Sequence, residues 1–158
     1  MTRPPSPQRI CRDQTGAALV EFALVLPILI LLLFGMLDFG KAFNYWIDGT
    51  HLANEGARWA VVNKNPDPGV GTLQQYIQQQ ATTTELRSGG TSSVPGPLEV
   101  CIGFPNGTSG VGDPVEVTVS TTYHWFPFLG LDVTETTITG RSTMRLEAEP
   151  TNFSAGCS

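Results

Sequence analysis

From Ala17 to Leu37 the chain reads "AALVEFALVLPILILLLFGML", apolar at every position except Glu21. A helix rising about 1.5 Å per residue makes this stretch about 31 Å long, the thickness of a hydrocarbon core of about 30 Å. Each Leu, Ile, Val or Phe contributes about −0.3 to −0.6 kcal/mol to insertion. Together they outweigh a carboxylate that costs about 2.5–3.5 kcal/mol at mid-membrane and less near an end. The pattern predicts a membrane helix over 17–37. The plain alternative, a helix in a soluble core, fails on size, because so short a chain has nothing to cover it on all sides.

The apolar periodicity continues outward. Phe39, Phe43, Trp46, Ala53, Ala57 and Ala60 recur at three- and four-residue spacings and predict a helical extension over 38–62. Gly40, Gly49 and Gly56 weaken a helix by about 1 kcal/mol each relative to Ala but permit close approach, to a sheet of the same chain or to neighbouring helices. "NKNPDPGVG" (63–71) ends the helix. "TLQQYIQQQATTTELR" (72–87) predicts one short amphipathic helix on Leu73, Ile77 and Ala81, and "SGGTSSVPGP" (88–97) a connection. "LEVCIGF" (98–104) and "PVEVTVSTTYHW" (114–125) carry strand signals, the second with strict alternation of Val115, Val117 and Val119 against polar neighbours. "DVTETTITGRSTMRLEA" (132–148) supplies a last strand or a hairpin broken at Gly140. The expected fold is α+β: a long N-terminal helix packed on a small antiparallel sheet, in an outer domain over 63–158.

The flanks orient the span. Arg3, Arg9 and Arg12 precede it, whereas Asp38 and Lys41 follow, which predicts a cytoplasmic N-terminus and an outer C-terminal domain. A secretory signal peptide fits poorly, because the run ends in "DFGK" with no small-x-small site after it. The leader, 1–16, is polar and proline-rich.

Charge and cysteines then narrow the partners. A net charge of −5, with no basic patch outside the leader, excludes nucleic acid as an expected partner. Of three cysteines, Cys11 lies on the predicted reducing side, and Cys101 and Cys157 on the oxidising side. A Cys101–Cys157 disulfide follows from that topology; two free thiols are the alternative.

Gly16, Ala17, Glu21 and Phe22, then "ALVLPILILLL", resemble the N-terminus of the TadE-like proteins of tight-adherence pilus systems, relatives of type IV pilins. "DFGKAF" and "ANEGARWAVV" resemble the continuing segment, and "VEVTVSTTYHWFPFLG" with "STMRLE" the C-terminal sheet. The resemblance implies that a prepilin peptidase cuts between Gly16 and Ala17, leaving Glu21 as the fifth residue of the mature chain. Glycine before the bond lets an enzyme approach the backbone closely. The carboxylate then has a cationic partner in the new amine of Ala17 on a neighbouring subunit. Its alternative is to snorkel to the headgroups at the helix start. The family's major subunits are short and almost wholly helical, so a chain with a folded domain resembles a minor pilin or pseudopilin. Pro27 removes one helical hydrogen bond and is a site for a kink.

Implied partners are the prepilin peptidase, the inner-membrane pilus platform, other pilins or pseudopilins, and the membrane. The implied location is the bacterial inner membrane, single-pass, with the outer domain periplasmic or carried into a pilus. An uncleaved single-pass protein whose outer domain binds a ligand or envelope component is the alternative. No enzyme is expected: no serine has a His and Asp arrangement around it. No metal or cofactor site is expected either. His51 and Glu55 share a helical face without a third ligand, and the Gly-x-Gly pairs at 69–71 and 110–112 lack a strand–turn–helix setting. "WFPFLGL" (125–131) is unusually apolar for a loop and suits core capping, membrane contact or a partner.

Overall fold

The computed structural model describes residues 14–125 and 135–158. Most of the leader, Cys11 with it, and all of the "WFPFLGL" loop except Trp125 lie outside the described residues. The chain forms two compact units, one ending at Leu37 and the other covering Asp38–Ser158.

Helix α1 runs Gln14–Val61, with Pro27 inside it. In the first unit it is long and apolar enough to cross a membrane. Its most hydrophobic window has a mean hydropathy of 2.8 and is 0% buried, unlike the core helix of a soluble protein. In the second unit, α1 is the core helix of an α+β domain. Its C-terminus closes on Asn63, in the left-handed conformation at φ 51°. Lys64 N–H donates to Trp59 O and Asn63 N–H to Ala60 O, both at 3.0 Å. These bonds satisfy carbonyls that a helix end otherwise strands.

The expected single helix over 72–87 is two: α2, Leu73–Gln79, and α3, Thr84–Ser88. Thr72 and Gln75 form a capping box at the start of α2. The break falls where Thr82 turns its N–H and hydroxyl to the Asp48 carboxylate, at 2.9 and 2.8 Å. Thr83 then caps α3 by accepting from Leu86 N–H. Hydroxyl side chains offer the backbone these local alternatives, so the threonine run starts a new helix rather than continuing the old one.

The sheet comprises β1 (Glu99–Gly103), β2 (Pro114–His124), β3 (Glu135–Arg145) and β4 (Gly156–Cys157). Its order is β3-β2-β1-β4, antiparallel throughout. Val115, Val117, Val119 and Tyr123 point into the core with Val100 and Ile102, as the period-two pattern requires. Opposite them lies a stripe of α1 built largely from small residues, including Ala42, Tyr45, Leu52, Ala53, Ala57 and Ala60.

Two expectations need correcting. The helical stripe was phased on Phe39, Phe43 and Trp46, yet these are exposed and the buried face is that of Ala42 and Tyr45. Close packing on a sheet selects small side chains, and the large aromatics fall on the other side. Nor does Gly140 break β3, which runs through it unbroken. A Cβ there would stand 2.4 Å from Gly49 C, 2.5 Å from Gly49 O and 2.5 Å from Thr50 N. Gly140 is therefore a point of backbone contact between helix and sheet.

Candidate functional site

Three groups of residues stand out, the first in the unit that ends at Leu37. Gly16, Ala17 and Glu21 lie in the opening turns of α1, all exposed. A Cβ on Gly16 meets nothing within 4 Å. Packing inside this chain therefore does not demand glycine there. Glu21 makes no hydrogen bond or ion pair among the described residues. The structure brings these three residues into one short helical segment.

The second group lies at the start of the Asp38–Ser158 unit, at positions that carry no sequence motif. Tyr45 and Tyr123 meet edge to face at 5.8 Å between ring centres. Tyr45 hydroxyl donates to Glu85, which Lys41 Nζ also meets at 2.9 Å. Tyr123 hydroxyl donates to the Asp38 carboxylate. Burial, then the hydrogen bond and negative charge of Asp38, push the Tyr123 phenol well above its usual range, so it stays a donor. The only signal available was the polar tip of two tyrosines within apolar strips, since a buried Tyr hydroxyl usually finds a partner.

The third group ties down the C-terminal tail. Cys101 and Cys157 form a disulfide between facing residues of β1 and β4. Gln74 Nε2 donates to Ser154 O at 2.9 Å and Gly156 O at 3.3 Å, while Phe104 and Phe153 pack at 6.3 Å. Asn63 Oδ1 accepts from Thr151 and Asn152 N–H at 2.9 and 2.8 Å. The same asparagine thus ends α1 and holds the chain after β3. Glu99 lies near the two sulfurs, but thiols committed to a disulfide have no thiolate to give a metal.

His51 and Glu55 sit 3.9 Å apart on an exposed face of the helix, the His being 73% exposed. Gly69, Gly71, Gly110 and Gly112 all stand in turns or loops.

Residues 16–58 match the protein family described as TadE-like protein. The match takes in the Gly16–Ala17 bond, Glu21, the apolar run and nearly all of α1 past Leu37. It stops before α2 and the sheet. No curated protein and no solved structure matches the chain.

Proposed function

From a chain whose residues 16–58 are TadE-like, and which is thereby associated with tight-adherence pili, we propose a minor pilin or pseudopilin that takes part in pilus assembly. It is a structural subunit, not an enzyme. A prepilin peptidase cuts between Gly16 and Ala17, and the chain is held in the inner membrane with its outer domain in the periplasm. The inner-membrane platform and other pilins are its partners.

One observation carries this reading: a glycine whose Cβ position is open stands five positions before a carboxylate that has no hydrogen bond or ion pair among the described residues. In lipid such a carboxylate is retained for a partner outside the chain. The new amine of Ala17 on a neighbouring subunit supplies one, and the pair sets the axial register between subunits. The oxidising compartment proposed for the outer domain agrees with the Cys101–Cys157 disulfide.

The test is the N-terminal mass of the protein taken from membranes that contain the peptidase. A chain beginning at Ala17 supports the reading. One beginning at Met1 or Thr2 overturns it in favour of an uncleaved membrane protein whose outer domain binds an envelope component.

A further inference from the structure

The connection between β1 and β2 carries the one Asn-Gly step of the chain, Asn106–Gly107. Pro105 and Asn106 form the middle of a turn in which Gly107 N–H donates to Phe104 O at 2.9 Å. Proline second and glycine fourth is an order that such turns favour. Pro105, Asn106, Gly107 and Thr108 are all exposed. Gly107 has a φ of 71°, and a Cβ there would meet nothing within 4 Å. Among the described residues the Asn106 side chain makes no hydrogen bond, so its amide is free to turn toward the next main-chain nitrogen. The other asparagines are held. Asn63 donates to Thr151 Oγ1 and accepts from two N–H groups of the tail, and Asn152 donates its amide to Asn63 O. Asn44 and Asn54 lie within α1, where helical bonding engages the N–H that follows each. Asn65 donates to Gly71 O and precedes Pro66, which has no N–H.

We infer that Asn106 is a site of spontaneous deamidation in the folded protein, with water as the co-reactant. The Gly107 nitrogen gives up its proton and attacks Asn106 Cγ. A Cγ–N bond forms, the Cγ–Nδ2 bond breaks, and the amide nitrogen leaves as ammonia with that proton. Water then opens the cyclic imide at either carbonyl. One opening leaves aspartate, and the other leaves isoaspartate, whose main chain runs through the former side chain. Nothing is oxidised or reduced. Glycine at 107 permits the ring, because no side chain stands beside the attacking nitrogen and the backbone rotates freely. Opening the turn forfeits one exposed hydrogen bond, which slows the folded chain by no more than about tenfold relative to a flexible peptide. Each event adds a negative charge to a chain of net charge −5, and isoaspartate adds a carbon to the connection between two paired strands.

The test follows the full chain in detergent at neutral and at mildly alkaline pH, beside the free peptide GFPNGTSG. Peptide mass mapping reads the conversion of amide to acid, and an isoaspartate methyltransferase labels the rearranged product. Asn106 is expected to convert within about tenfold of the peptide's rate, and several-fold faster in alkali, with the isoaspartate label appearing. Asn63 and Asn152 should keep their amides over the same period. Asn106→Gln, at an exposed position, should leave the circular dichroism unchanged and lose the label, because the longer side chain closes a larger ring slowly. Conversion of Asn106 slower than that bound, or no faster than that of Asn152, overturns the inference. So does acid at Asn106 without isoaspartate, because direct hydrolysis of the amide then bypasses the ring.

Discussion

Gly140→Ala tests the helix–sheet contact at its tightest point. The added Cβ would stand 2.4–2.5 Å from backbone atoms of Gly49 and Thr50, which no rotamer change relieves. Helix and sheet must separate, or β3 must bend away from its partner Val119. Overpacking of this kind costs roughly 1–3 kcal/mol. At roughly 4 °C per kcal/mol for a domain of this size, the thermal midpoint falls by about 4–12 °C. Gly49→Ala is the control on the other side of the same contact. Its Cβ would lie 3.9 Å from Val119 Cγ1 and 4.0 Å from Gly140 N, ordinary packing distances. A helical Gly→Ala gains up to about 1 kcal/mol, so this variant is neutral or slightly more stable. Melts of the full chain in detergent, followed by near-ultraviolet circular dichroism, read both. A Gly140→Ala protein that melts with the wild type, or a Gly49→Ala protein that falls as far, refutes the reasoning.

Other changes reach the remaining features. Gly16→Leu should stop the proposed maturation by obstructing the peptidase, seen as a heavier chain on mass measurement, without changing the melting of the Asp38–Ser158 unit. Glu21→Ala should insert at least as well as the wild type yet assemble poorly, and undiminished piliation would favour the snorkelling role. Reduction of Cys101–Cys157, which closes a sequence separation of 56 residues, removes up to about 4 kcal/mol of chain-entropy stabilisation. Limited proteolysis should then cut the tail after β3 before the sheet. Tyr123→Phe removes the hydrogen bond to the Asp38 carboxylate and costs about 1–3 kcal/mol in a denaturant melt. Because burial raises the folded-state phenol, its contribution is complete below the unfolded tyrosine value of about 10. It is lost as pH climbs above that, so the wild-type and Tyr123→Phe melting curves converge only in strong alkali.

Sequence periodicity revealed the elements where one period dominates. Val115, Val117 and Val119 marked β2 and its core face, and the unbroken run from Ala17 marked the apolar half of α1. The half of α1 past Leu37 was legible as a helix but not in phase. Hydrophobicity favours Phe39, Phe43 and Trp46, whereas close packing on the sheet favours Ala42, Ala53 and Ala57. β4 carried no strand signal, because two residues have no period and are held by a disulfide and by Gln74 rather than by propensity. Gly140 read as a break because a sequence does not show what lies across from a glycine. The Tyr45–Glu85 and Tyr123–Asp38 links join positions far apart in the chain, and only the fold brings them together.

The fastenings of α1 to its domain also determine how it bears load. They are spread along the helix: Asp38 to Tyr123, Tyr45 to Glu85, Asp48 to Thr82, the Gly49–Gly140 contact, and Val61 O to Glu147 N–H at 3.0 Å. Tension along the helix axis strains all of them together instead of opening them one after another. The domain is fastened as a lap joint is, not as a zipper, and axial pulling should detach it in one abrupt step at a force above that of any single link.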